Sequence, residues 1–298
     1  MPTWTDVEQF LVTGLSLGGV YALSGVGMVV LYRATGVLNL AFGAIGAFGA
    51  FIAWQLINHS SVSFWPAFVV AVLVGGLLTL AYGMVFGPAL ALRDPLVKAT
   101  ATLGLALILL GVMDLLWPSS GGASRALTVP TDNNTFQVGQ ISVTYTNVLA
   151  LVLGLVVTVV AAAFLRFTKL GTAMRAMAND REITASLGVP VRRVTAAAWF
   201  GCGCLAGLAG VLLSDLVALD ATALTFLVIS TLAATLVGRL RSIPITFAAA
   251  IVIGVITAEL TPISSLSTYR DMTPFVVAAI ALLFLSRRRV IAVGRQGV

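Results

Sequence analysis

From Phe10 to Leu31 no side chain carries a charge, and eight later stretches repeat this apolar character: 36–57, 65–87, 97–117, 147–165, 194–214, 222–238, 244–260 and 274–286. Apolar runs of about 20 residues match the ~30 Å hydrocarbon thickness of a bilayer when wound as α-helix, and helices satisfy their backbone polar groups internally. The alternating segments of about 10 residues that build an outer-membrane barrel do not describe these runs. The expected fold is an all-α polytopic membrane protein, one transmembrane domain over residues 1–298, with nine spans counted and a range of eight to ten. Composition agrees: 59% of residues are hydrophobic and 9% charged, where soluble domains carry about 25% charge.

The charges predict the topology. The N-terminal MPTWTDVEQF holds Asp6 and Glu8 but no Lys or Arg, so it lacks the basic start of a secretory signal and the first run reads as an uncleaved span. With the N-terminus outside, every basic residue except Arg125 and Arg270 falls in an inside loop or tail, while Asp6, Glu8, Asp132, Asp215, Asp220, Glu259 and Asp271 lie at outside ends. That split follows the positive-inside rule and sets the C-terminus in the cytoplasm. It also accounts for the net charge of +6 without nucleic acid as a partner.

Two regions interrupt the simple pattern. Gly36, Gly43, Gly46 and Gly49, with Asn39, occupy the second run and allow a broken or re-entrant helix, which membranes tolerate where backbone is buried in protein or lines a cavity. The segment 118–146 is the largest outside piece, and alternation over Phe136–Tyr145 predicts a short hairpin. Within the spans, Gly14 and Gly18, Gly83 and Gly87, and Gly203 and Gly207 have the small-xxx-small spacing that lets helices approach closely.

Catalytic chemistry is sparse. Cys202 and Cys204 with a single His59 cannot make a four-ligand zinc site, so no metal is expected, and H-E-x-x-H and G-x-S-x-G are both absent. Asp114 and Glu259 stand near span ends. The only lysines, Lys98 and Lys169, are not in a phosphate-cradling G-x-x-x-x-G-K-[ST] loop. The chain is thus expected not to be an enzyme and to bind no cofactor of its own; any ATP would be used by another subunit. Polar groups within spans are few, and the residues proposed for a translocation path are Asn39, Thr100, Thr102 and Gly104, hydrogen bonding within or between helices being the alternative.

The longest polar interruption is 170–194, LGTAMRAMANDREITASLGVPVRRV. Asn179 and Glu182 have capping-box spacing, Gly188 suits the position after a helix, and Pro190 prevents continuation. A short helix over 180–187 is predicted, with Ile183 and Leu187 at i and i+4 on an apolar face and Arg181 and Glu182 near water. The residues expected to make its contact are Asn179, Asp180, Arg181, Glu182, Ile183, Ala185, Leu187 and Gly188. From these residues alone the helix could also rest on the membrane lipid surface.

Five blocks then carry a resemblance. GLSLGGVYALSGVGMVVLY (14–32), GVLNLAFGAIGAFGAF (36–51), ATLGLALIL (101–109), MRAMANDREITASLGVPVRRV (174–194) and YRDMTPFVVAAIALLFLSRRR (269–289) occur in the order found in the branched-chain-amino-acid ABC transporter permeases, and the chain resembles that LivH-like family over nearly its whole length. The resemblance implies a multi-pass permease subunit of a bacterial inner membrane. It also implies a second homologous permease, two cytoplasmic ATPase subunits that use ATP, and an extracytoplasmic solute-binding protein as partners. The helix at 180–187 would be the coupling helix entering an ATPase cleft. Two places depart from the family: Phe42 stands where the family has His, and Val237-Gly238-Arg239-Leu240-Arg241-Ser242-Ile243-Pro244-Ile245 replaces a Gly-Gly…Ser-Ile-Pro-Gly pattern. The expected solute is a branched-chain amino acid. Urea, an amide or another small solute remains an alternative, and so does an ATP-independent carrier or channel.

Overall fold

The computed structural model describes residues 4–91, 93–118, 125–132, 135–138, 141–226, 228–261, 272–280 and 283. Arg270, Asp271, Arg287, Arg288, Arg289 and Arg295 lie outside the described residues, as does much of the last predicted span. The elements are α1 (Trp4–Thr35), α2 (Phe42–Ser60), α3 (Phe64–Val85), α4 (Gly87–Leu90), α5 (Pro95–Leu116), β1 (Thr135–Val138), β2 (Ile141–Thr144), α6 (Tyr145–Phe167), α7 (Lys169–Asn179), α8 (Arg181–Ser186), α9 (Val191–Leu216), α10 (Ala221–Phe226), α11 (Val228–Val237) and α12 (Ile243–Glu259). A further helical run covers 273–280.

Among the described residues, five helices are long and apolar enough to cross a membrane: α1, α3, α5, α6 and α9. The other predicted spans are shorter or broken. Residues 36–41 are not helical, so the second run becomes a helix only at Phe42. The run 222–238 is helical over its described residues, α10 and α11, and α12 has 17 residues. Apolar composition alone does not report such breaks, because it counts side chains and not the backbone bonds that a neighbouring element satisfies.

Burial sorts the helices into a centre and a periphery. Within the apolar window of each helix, burial falls from 83% in α1 and 61% in α9 to 33% in α3 and 22% in α5 and α6. Small residues make the central contacts possible, since lipid supplies no hydrophobic drive between helices and close van der Waals packing must hold them. A Cβ on Gly14 would lie 2.6 Å from the Val255 Cα and one on Gly18 2.7 Å from the Ile251 Cα, so α1 and α12 touch backbone to backbone. Gly203 and Gly207 meet α3 at Gly75 and Ala71 in the same way. The third predicted pair does not act together: Gly83 lies against the Trp199 ring, whereas Gly87 faces open space.

The predicted hairpin is present, antiparallel with Phe136 opposite Val143 and Val138 opposite Ile141. Its segment is stapled to the bundle by polar groups. Asp215 Oδ1 accepts from the Val129 amide at 2.8 Å, and Gln55 Oε1 accepts from Trp117 Nε1 at 2.7 Å. Arg125 donates to the carbonyls of Trp117 and Pro118 and stands 5.3 Å over the Trp54 ring, which gives this isolated basic residue a structural role. At the opposite end, basic residues from distant parts of the chain converge. Arg33 donates to the Arg241 carbonyl at 3.4 Å with Arg175 nearby, and Lys98 lies near Arg181. These are the hairpin end and the α8 end of the molecule.

Candidate functional site

The α8 end is built by the chain between α6 and α9. Thr168 caps α7, its hydroxyl accepting from the Gly171 amide at 2.9 Å, and α7 buries Gly171, Met174 and Met177 along one face. This helix was missed in the sequence, although Leu170, Met174 and Met177 behind a threonine cap are its signature. Because α7 runs through Asn179, the first non-helical residue is Asp180, and the cap moves by one position. Asp180 Oδ1 accepts from the Ile183 amide at 2.9 Å. Asn179 therefore ends one helix instead of starting the next, and Glu182 stands too early in α8 to close a capping box.

The six residues of α8 turn a polar side chain inward and apolar ones outward. Thr184 turns inward and is buried, its hydroxyl bonding to the Asp180 carbonyl at 2.5 Å. Ile183 is 60% exposed, Leu187 is 78% exposed, and Ala185 between them is exposed. The apolar i, i+4 pair thus projects away from the bundle in a ridge flanked by Glu182 and half-buried Arg181. Exposed apolar residues gathered at a polar end mark a contact surface. Gly188 follows at φ +82°, a left-handed conformation that costs glycine nothing, and its amide donates to the Ala185 carbonyl at 3.0 Å. Pro190 then leads into α9.

Of the four residues proposed for a translocation path, the structure joins two. Asn39 and Thr102 are both buried and together hold the non-helical stretch 36–41. The Thr102 hydroxyl donor is shared between the Leu38 carbonyl at 2.9 Å and the Ala99 carbonyl of its own helix at 2.8 Å, and its oxygen accepts from the Leu40 amide at 3.0 Å, while Asn39 Oδ1 accepts from the Ala41 amide at 3.1 Å. Asn39 Nδ2 reaches Cys202 Sγ at 3.8 Å. Thr100 is on the exposed side of α5 and bonds back to the Leu96 and Val97 carbonyls. Gly104 has open space around it.

The cavities lie elsewhere. At the hairpin end, α1, α10–α12 and the 273–280 helix enclose about 650 Å³ lined by Thr13, Tyr21, Ser230 and Thr257 with Phe10 and Phe226. Tyr21 also lines a small void of about 20 Å³ deeper between α2 and α9. A third space, about 290 Å³, opens at the α8 end. Hydroxyl groups in apolar runs were the available sign of these residues, none of which was among those proposed for the path. No cluster of His, Cys, Asp or Glu among the described residues is arranged to hold a metal.

Comparison with known proteins places this geometry. The profile described as branched-chain amino acid transport system, permease component, matches residues 10–285. The chain is 27% identical over 299 residues to the high-affinity branched-chain amino acid transport system permease protein BraD of Pseudomonas aeruginosa, covering 95% of each chain. It is 25% identical over 301 residues to LivH of Escherichia coli, covering 93% of this chain and 95% of that one. It is also 26% identical over 242 residues to a probable LivH of Methanocaldococcus jannaschii, covering 79% and 76%. No solved structure matches. With a family match running through α1, the α8 end and the 273–280 helix, the chain belongs to the permease-component family of branched-chain amino acid transport systems.

Proposed function

We propose that the chain is the permease subunit of an ABC importer in the bacterial inner membrane, with a branched-chain amino acid as its solute. The N-terminus and the hairpin face outward, and the α8 end faces the cytoplasm. The observation that carries the reading is the Ile183–Ala185–Leu187 ridge, an exposed apolar surface on a capped helix surrounded by basic residues. An ATPase subunit docks on it, and a second permease of the same family presents a matching helix to a second ATPase. The relatives named above are branched-chain amino acid permeases, which supports the solute.

The chemistry of coupling is differential binding. Closure of the ATPases on ATP moves α8, and through Thr184 and the α7–α8 and α8–α9 connections the movement reaches α9, at the centre of the bundle. Alternating access follows if the two bundle states hold the docked ATPases with different affinity. An extracytoplasmic binding protein delivers the solute at the hairpin end, where the 650 Å³ cavity carries hydroxyls and aromatic rings.

The test is co-purification of the chain with its cytoplasmic ATPase after Ile183→Glu and Leu187→Glu together. Association and ATP-dependent uptake are expected to be lost while the protein stays membrane-inserted and monodisperse, since both side chains are outside the packed body. Unchanged association would overturn the docking assignment. Solute flux by the purified chain alone in liposomes, without ATP, would overturn the importer reading itself.

A further inference from the structure

The 290 Å³ recess at the α8 end has walls from the ends of α3 and α4 on one side and from α8 and α9 on the other. Its volume is roughly ten times a water molecule's ~30 Å³ share of the liquid. The polar groups facing it are donors. Arg181 and Arg192 both line it, and among the described residues neither guanidinium has a hydrogen-bond or ion-pair partner. The Trp199 indole, 2% exposed, forms the inner wall and its N–H has no acceptor among the described residues. Thr35 and Thr195 also line the recess, but their hydroxyls are spent on the carbonyls of Leu31 and Val191. The N-terminus of the 26-residue α9 enters it at Val191, and Pro190 supplies no side-chain cap. Among the described residues, no carboxylate lines the space.

The amides of Val191, Arg193 and Val194 are taken by the Val189 and Pro190 carbonyls, but the two unpaired guanidiniums, Arg181 half-buried and Arg192 exposed, favour an anion, and a phosphate suits them. The remaining wall is apolar: Met84, Pro88 and Val191 line it, and the next residues after Met84, Val85 and Phe86, are 68% and 51% exposed at the end of a membrane-length helix. A free phosphate would have no use for that wall, whereas a phosphate that carries acyl chains would cover it.

We propose that this recess holds an anionic phospholipid, with Arg181 and Arg192 clasping the phosphate and the chains running along Met84, Val85 and Phe86. The site rests on the assignment of the α8 end to the cytoplasmic membrane face. Because Arg181 begins α8 and Arg192 lies in the first turn of α9, the bound headgroup ties the two helices across the Leu187–Pro190 turn. The lipid thereby sets the stiffness of the docking helix.

The purified chain in detergent is titrated with phosphatidylglycerol or phosphatidylcholine, and bound lipid is counted by native mass spectrometry. Phosphatidylglycerol is expected to be retained over phosphatidylcholine, and R181Q/R192Q to bind it about tenfold to thirtyfold more weakly. R166Q/R239Q, which removes as much charge from the same end, is expected to bind like the unaltered chain, and R181K/R192K to keep most of the affinity. Equal retention of the two lipids, or an equal loss in both glutamine doubles, would overturn the proposal. So would displacement of the lipid by inorganic phosphate at a concentration comparable to that of phosphatidylglycerol, which would assign the recess to a free anion. Lipid counting needs neither ATPase nor solute, so a failure here leaves the importer reading standing, and retained lipid without transport would sink only the latter.

Discussion

Asn39 and Thr102 show how one residue type serves two readings. A hydroxyl or amide in the middle of an apolar run marks either a solute path or a bond to a neighbour, and the sequence alone does not choose between them. Here the two side chains supply the partners that residues 38–41 lack by leaving the helix, at 2.9, 3.0 and 3.1 Å. Thr102→Val should therefore leave the Leu40 amide and the Leu38 carbonyl unpaired and cost about 1–3 kcal/mol. Thr100→Val, on an exposed face with bonds only to its own helix, should stay within about 0.5 kcal/mol. Thermal unfolding of the detergent-solubilised variants checks the pair; equal shifts would mean that Thr102 does not brace the break. The identities of both residues were legible as unusual. Their role was not, because it depends on which backbone lies across the gap.

At the level of the element, α8 was legible in its stop and nearly so in its start. Gly188 and Pro190 announce the end whatever surrounds them, since φ +82° at Gly188 and a missing N–H at Pro190 are local properties. The start moved from Asn179 to Asp180 because α7, which the sequence reading missed, runs through Asn179, and either side chain is a competent cap acceptor. Asp180→Ala should cost about 1 kcal/mol and speed amide exchange over 181–187, whereas Asn179→Ala should be close to neutral. The reverse order, by hydrogen-exchange mass spectrometry, would restore the cap to Asn179. Gly188→Val should cost about 1–2 kcal/mol by forcing a branched side chain into the left-handed region. Its effect should appear as weakened ATPase association, because the turn sets the direction in which Ile183 and Leu187 project.

For the whole molecule, the central helix α1 depends on contacts that a side chain would abolish. Gly254 faces the backbone of Gly14 and Gly18, so Gly254→Leu should separate α1 from α12 and eliminate monodisperse protein in size-exclusion chromatography. Gly104→Leu, with nothing within 4 Å of its Cβ position, should be tolerated. Topology is testable at the same scale. In a Cys202→Ala/Cys204→Ala background, Gln137→Cys on the hairpin should react with an impermeant thiol reagent in intact cells, and Asn179→Cys only after lysis. Labelling of both or neither would undo the two-sided arrangement. Membrane residence, helical class and the separation of basic from acidic loops were determined by the sequence itself, because hydropathy and charge act on each segment independently of its neighbours. The tertiary structure alone decided which side chains brace the non-helical stretch 36–41, and that Thr184 turns inward while Ile183 and Leu187 face outward. These outcomes depend on which residues from distant segments are close enough to satisfy a backbone group or cover a side chain, and residue order does not state that proximity.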